Sequence, residues 1–139
     1  MGIKKIKYLV VHCTATPEGR ETTVADIDRW HKAQGWNGIG YHYVVYLDGT
    51  IHTGRAETEV GAHCYGHNAE SLGICYAGGC VATGGTPKDT RTAAQRTALR
   101  TLLTKLKKKY PTAQIVGHRD LNRAKACPSF DARAEYADI

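Results

Sequence analysis

Apolar residues recur along this chain with two different periods, and the switches between them mark out its elements. Residues 6–11, Ile6-Lys7-Tyr8-Leu9-Val10-Val11, are β-rich and lead to turn signals between Thr14 and Gly19. They predict a buried strand with His12 emerging at its carboxyl end. Thr22 or Thr23 can cap a helix in which Val24, Ile27 and Trp30 fall at helical spacing, with Gly35 placed to end it. Residues 41–46 and 50–53 flank Leu47-Asp48-Gly49, and Asp-Gly between two β-rich runs signals a hairpin, expected beside the first strand. Residues 72–77 form another short apolar strand, on which Cys75 reads as a small core residue. Thr92 and Gln95 match a capping box for a helix that buries Ala98, Leu99, Leu102, Leu103 and Leu106 and turns its lysines to water. Residues 114–117 lead into His118 as a final short strand, and Pro128 interrupts the chain just after Cys127.

The order β, α, β-hairpin, β, α, β predicts an α/β fold: one domain over residues 1–139, with a central mixed sheet flanked by helices. Size agrees, since 139 residues with 42% apolar content suit one real core and are too few for two ordinary domains. The Gly/Thr-rich residues 78–87 read as a surface loop. No apolar run approaches the roughly 20 residues of a membrane span, so no transmembrane segment is expected. The start Met1-Gly2-Ile3-Lys4-Lys5 lacks the apolar centre of a secretory signal, which predicts a protein made in the cytoplasm.

Charge and cysteine content narrow the picture less. Nineteen basic against 13 acidic residues leave +6, which favours approach to a polyanion, nucleic acid or the anionic bacterial wall, without choosing between them. Part of that excess, at residues 105–109, reads as the solvated face of a helix. Five cysteines at irregular spacing argue against a disulfide framework and leave at least one for other chemistry. Cys64 and Cys80 read as free thiols, and a Cys75–Cys80 link is disfavoured by the cytoplasmic start.

Among seven histidines, His12 and His118 stand apart because each follows an apolar strand, and Cys127 lies on a loop pinned by Pro128. Two nitrogens and a sulfur are zinc-type ligands, and three protein ligands leave a fourth position for water, as in catalytic rather than structural zinc sites. A zinc cleft at the strand ends is therefore one reading; on residue type and spacing alone, ordinary core and surface roles compete with it. Strand alternation sends His42 to the face opposite Tyr41, as a structural histidine, and Cys13 away from His12.

Longer motifs add to this. Val11-His12-Cys13-Thr14-Ala15-Thr16, Trp30-His31-Lys32, Gly40-Tyr41-His42-Tyr43 with Asp48-Gly49-Thr50, Gly61-Ala62-His63 with Ser71-Leu72-Gly73-Ile74-Cys75, Gly117-His118-Arg119-Asp120 and Lys125-Ala126-Cys127-Pro128 occur in this order. Together they resemble the type-2 N-acetylmuramoyl-L-alanine amidases, which include short phage lysozymes of amidase type and are similar to peptidoglycan recognition proteins. The resemblance covers nearly the whole chain.

It implies a hydrolase with one zinc ion that cuts the amide between N-acetylmuramic acid and L-alanine of the peptide stem. His12, His118 and Cys127 match the metal ligands, and Tyr41 and Lys125 match two further positions on which catalysis depends. Water activated at the metal would attack the carbonyl while Lys125 stabilises the oxyanion. Some relatives place a Glu where this chain has Tyr41, so whether Tyr41 orients the water or relays a proton stays open. His63 and Asn68 lie in a polar loop corresponding to the substrate groove, where binding of stem peptide or sugar competes with the ordinary reading of polar side chains turned to solvent.

The implied partner is peptidoglycan or a muropeptide, met by a monomer that reaches the wall through a holin, another export route or lysis. Phage lysis and bacterial wall remodelling both fit. The alternative is a peptidoglycan-binding module without catalysis, which the presence of Cys127 as third ligand disfavours. A nucleic-acid-binding domain with structural zinc is not expected, since neither a fourth ligand nor an aromatic-basic surface is evident.

Overall fold

The computed structural model describes residues 5–139, and its centre is the apolar run predicted first. Strand β1 (Tyr8–Cys13) is buried from Leu9 onward. Strand β2 (Thr16–Pro17) follows, then helix α1 (Val24–Ala33) and the short strands β3 (Tyr43–Val45) and β4 (Ile51–Thr53). Next come β5 (Ser71–Tyr76), β6 (Gly79–Cys80), helix α2 (Ala93–Lys109), β7 (Gln114–Gly117) and two helical turns, α3 (His118–Leu121) and α4 (Ala132–Glu135). The expectation of no secretory signal falls mainly on residues 1–4, which lie outside the described residues. Among the described residues no helix is long and apolar enough to cross a membrane.

Five strands form a mixed sheet in the order β4-β3-β5-β1-β7, with only β4 antiparallel to its neighbour. The hairpin, expected beside the first strand, does not lie there; β5 stands between them. The reason is burial and length. All six residues of β5 are buried and pair with all six of β1, from Tyr8 with Ser71 to Cys13 with Tyr76. The outer hairpin strand β4 leaves Ile51 and Thr53 exposed, and a strand open on one side belongs at an edge.

Alternation divides the sheet into two faces. Leu9, Val11 and Cys13 join Leu72, Ile74 and Tyr76 in the main core, where α2 adds Leu99, Leu102, Leu103 and Leu106 as predicted. Thr92 caps α2 reciprocally with Gln95, whose buried amide also reaches the carbonyls of Val45 and Ala77. On the other face Ile27 of α1 packs with Ile39 and Val44. Helix α1 is capped by Thr23 with Asp26 and followed by Gly35 at φ +92.

Trp30 does not lie on the inner side of α1; it is 39% exposed, and His31 takes that side with Ile27. His31 wins the position because its Nδ1 accepts from the Gly40 N–H at 2.8 Å, a partner an indole cannot be. Residues 78–87 are also not all surface loop. Gly79 and Cys80 are buried and pair with β2, where a Cβ at Gly79 would stand 2.4 Å from Cys13 Sγ. All five cysteines are free thiols.

Near the carboxyl terminus, Arg91 clamps the chain onto the start of α2. Its buried guanidinium stacks on Phe130 at 3.4 Å from the ring centre and donates to Asp89 at 2.9 Å and Glu135 at 2.8 Å.

Candidate metal centre

His12 is the penultimate residue of β1 and faces the α1 side of the sheet, opposite Cys13, as alternation predicted. His118 reaches the same place differently: it opens the helical turn α3 instead of ending a strand. Asp120 Oδ2 accepts from the Gly117 N–H at 2.7 Å and winds the chain into that turn directly after β7. The His12 and His118 rings lie 4.5 Å apart, centre to centre.

Cys127 is carried in by the loop that follows, and three contacts hold that loop. Arg119 N donates to the Cys127 carbonyl at 2.8 Å, the buried Tyr76 hydroxyl donates to the Pro128 carbonyl at 2.7 Å, and the Pro128 ring lies against Gly117. Backbone as well as side chain meets at the sulfur, since the Cys13 N–H donates to Cys127 Sγ at 3.0 Å.

One ligand atom from each of His12, His118 and Cys127 lies within 4.8 Å of the others. The pair with a measured contact, His12 Nδ1 and Cys127 Sγ, is 3.7 Å apart; nitrogen and sulfur ligands of one tetrahedral zinc stand about 3.6 Å apart. Donor types and spacing thus fit zinc. Burial, with the neighbouring histidines, pushes His12 well below the usual imidazole range, and burial with Lys125 lowers His118, so both offer neutral nitrogens. The adjacent Cys13 thiol and burial hold Cys127 above the usual thiol range. A divalent cation at this point would supply the charge that stabilises its thiolate.

Above these residues opens a cleft of about 440 Å³. Of the residues singled out in the sequence, Tyr41, His63, Asn68, His118 and Lys125 all line it, while His12 and Cys127 do not. Tyr41 packs on His12 with ring centres 5.1 Å apart, and burial raises its phenol well above the ordinary value, so it presents an O–H at neutral pH. Lys125 is exposed at the rim.

His63 is 9% exposed and uses both ring nitrogens, Nδ1 against His12 Nε2 at 2.8 Å and Nε2 against Ser71 Oγ at 3.3 Å. Burial pushes it down to about 3. Asn68 Oδ1 accepts from the N–H groups of His63 and Cys64, each at 2.9 Å. His42 is structural, as predicted, bonded to the Glu59 carbonyl and the Gly73 N–H. It does not face away from Tyr41, however: both residues precede β3, and the His42 and Tyr41 rings stand beside His63, centres 5.8 and 6.5 Å away.

His31, Trp36, Tyr65 and Asn122, to which the sequence pattern assigns no role, also line the cleft. For His31 a signal existed: it lies four residues after Ile27, on the same helix face. For Tyr65, 98% exposed, local pattern offers none.

The family model of N-acetylmuramoyl-L-alanine amidase matches residues 3–130. The chain belongs to this family. The endolysin of Klebsiella phage KP32 is 44% identical over 130 residues, covering 94% of this amidase and 85% of the relative. The endolysin of Escherichia phage T7 is 42% identical over 125 residues, covering 90% and 82%. Among solved structures, the amidase LysC from Clostridium intestinale superposes with a TM-score of 0.80 at 31% identity, covering 97% of this chain and 88% of that one. The Drosophila recognition protein PGRP-LB gives 0.79 at 26% identity, covering 99% and 83%. The amidase thus has the expected α/β fold and is an enzyme, not a binding module alone; its ligand-type trio and cleft coincide at one end of the sheet.

Proposed function

We propose that this amidase is a phage-type endolysin that hydrolyses the bond between N-acetylmuramic acid and L-alanine in peptidoglycan, with one zinc ion held by His12, His118 and Cys127. The observation that carries this reading is the convergence of the three ligand atoms beneath a cleft that also holds Tyr41 and Lys125. His12, His118 and Cys127 would hold the zinc, which would supply Lewis acidity and lower the pKa of a water toward neutrality.

The chain's own groups then divide the remaining work. Lys125, a cation at the cleft rim, stabilises the negative charge that develops on the amide oxygen. The Tyr41 O–H orients the reacting groups as a donor, a role that suits its raised pKa better than that of a base. The buried floor around His12 excludes bulk water, which strengthens both effects. His63 and Asn68 form the wall that meets stem peptide or sugar.

The enzyme acts as a monomer on peptidoglycan or muropeptides, not on nucleic acid. It is made in the cytoplasm and reaches the wall through a holin, another export route or lysis; the endolysin relatives support action on the cell wall.

Metal analysis joined to mass spectrometry of digested peptidoglycan tests the proposal. Wild-type protein should contain one zinc and release peptides with a new alanine amino terminus, and Cys127→Ala should do neither. Zinc-free protein with undiminished activity, or new reducing sugar ends, would overturn it.

A further inference from the structure

The geometry points to His63 and Ser71 as positioning residues that fix His12 in its Nε2–H tautomer and so present the bare Nδ1 to the metal. The inference rests on the zinc reading above and starts from a backbone carbonyl, whose role in a hydrogen bond is not open to choice.

Ser71 begins β5, an otherwise apolar strand, and is fully buried. Its Oγ lies 2.7 Å from the His67 carbonyl oxygen. A carbonyl only accepts, so the single hydroxyl proton of Ser71 is committed to it. Toward His63 Nε2, at 3.3 Å, Ser71 Oγ can then only accept, which places the His63 proton on Nε2. His63 Nδ1 is left as an acceptor facing His12 Nε2 at 2.8 Å, so His12 must donate from Nε2. Neutral His12 then has no proton on Nδ1, the atom 3.7 Å from Cys127 Sγ. Four groups in a row thus transmit the direction of one carbonyl to the lone pair of a ligand.

Packing holds this relay in register. A Cβ at Gly73 would stand 2.7 Å from His63 Cγ, and one at Gly61 would stand 2.7 Å from His63 Cδ2, so the ring is seated between two glycines. Asn68 ties the backbone N–H of His63 to the same turn that contains His67. His42 lies 5.8 Å from His63, centre to centre, but both its nitrogens are taken by Glu59 and Gly73, so it does not feed the relay.

Two readouts test this, one of which needs no metal. Long-range 1H–15N spectra of histidine-labelled, metal-free protein report the tautomer of His12, and competition with a chelator reports zinc affinity. Wild type should show His12 as Nε2–H. Ser71→Ala frees His63 to carry its proton on Nδ1, so a population of Nδ1–H His12 should appear and zinc affinity should fall about tenfold. His63→Phe keeps the ring volume and removes both nitrogens, and should weaken zinc about 10–100-fold. His63→Asn can return an acceptor near the Nδ1 position and should recover most of that loss.

Unchanged His12 tautomer in Ser71→Ala, with zinc affinity within about twofold of wild type, would overturn the inference. Should His63→Phe fail to fold, Ser71→Ala, which removes one oxygen, decides the matter alone. Should wild type not bind zinc, the metal reading falls while the metal-free tautomer still settles the relay.

Discussion

Gly117→Ala isolates the contact that presses the Cys127 loop against the end of β7. Gly117 has φ −89 and ψ 159, an ordinary extended conformation, so alanine costs nothing in the backbone there. The whole effect is steric: the new Cβ would stand 2.7 Å from Pro128 Cδ, against about 3.4 Å for an ordinary contact. Pro128 must therefore retreat by about 0.7 Å, or β7 must shift by as much. Overpacking of this kind costs about 1–3 kcal/mol. Metal–ligand distances tolerate only about 0.2 Å, so a Cys127 drawn off with Pro128 transfers the cost to zinc binding.

Either the metal-free protein loses the full amount in urea unfolding, or zinc affinity falls by roughly 5- to 150-fold, the same free energy at 1.4 kcal/mol per tenfold. Both are measured on one preparation, by denaturation with chelator present and by competition for zinc. A variant within about 0.3 kcal/mol in stability and about twofold in zinc affinity would refute the claim that Gly117 and Pro128 set the position of Cys127.

Other perturbations separate stability from catalysis. Lys125→Met should retain zinc and fold while kcat falls about 10²-fold, the scale of removing one oxyanion-stabilising group; undiminished turnover would exclude that role. Glu57 is raised by burial but carried down, from 4.5 to about 2, by hydrogen bonds from Lys109, Tyr110 and Tyr43. Its folded-state pKa is depressed, so its contribution is present above pH 4.5, at most about 3 kcal/mol, and disappears as pH falls through about 2. Glu57→Gln should therefore be less stable than wild type at pH 7, with the gap closing below pH 4.5; a pH-independent gap in urea midpoints would contradict this. Arg91→Met removes a guanidinium whose side chain is 1% exposed from two carboxylates and should cost about 3 kcal/mol, the low end for a broken buried pair, because Asp89 and Glu135 keep contact with water. Thermal unfolding checks it.

Local pattern determined a good deal of this protein by itself. The caps at Thr23 and Thr92, the apolar stripe of α2, the Asp48-Gly49 turn and the opposed directions of His12 and Cys13 all follow from periods of 3.6 and 2 and from side-chain chemistry within a few residues. The ordered motifs supplied the family and the candidates His12, His118, Cys127, Tyr41 and Lys125. Tertiary structure alone decided the rest. Strand order is a competition among distant segments for buried edges, which placed β5 beside β1 and sent the hairpin outward. His31 displaced Trp30 from the inner face because Gly40, nine residues on, offered it an N–H. The nitrogen that His12 presents is decided by hydrogen bonds running through His63 and Ser71 to the His67 carbonyl, and a proton's position on a ring depends on which partners surround it in space, a fact no local spacing encodes.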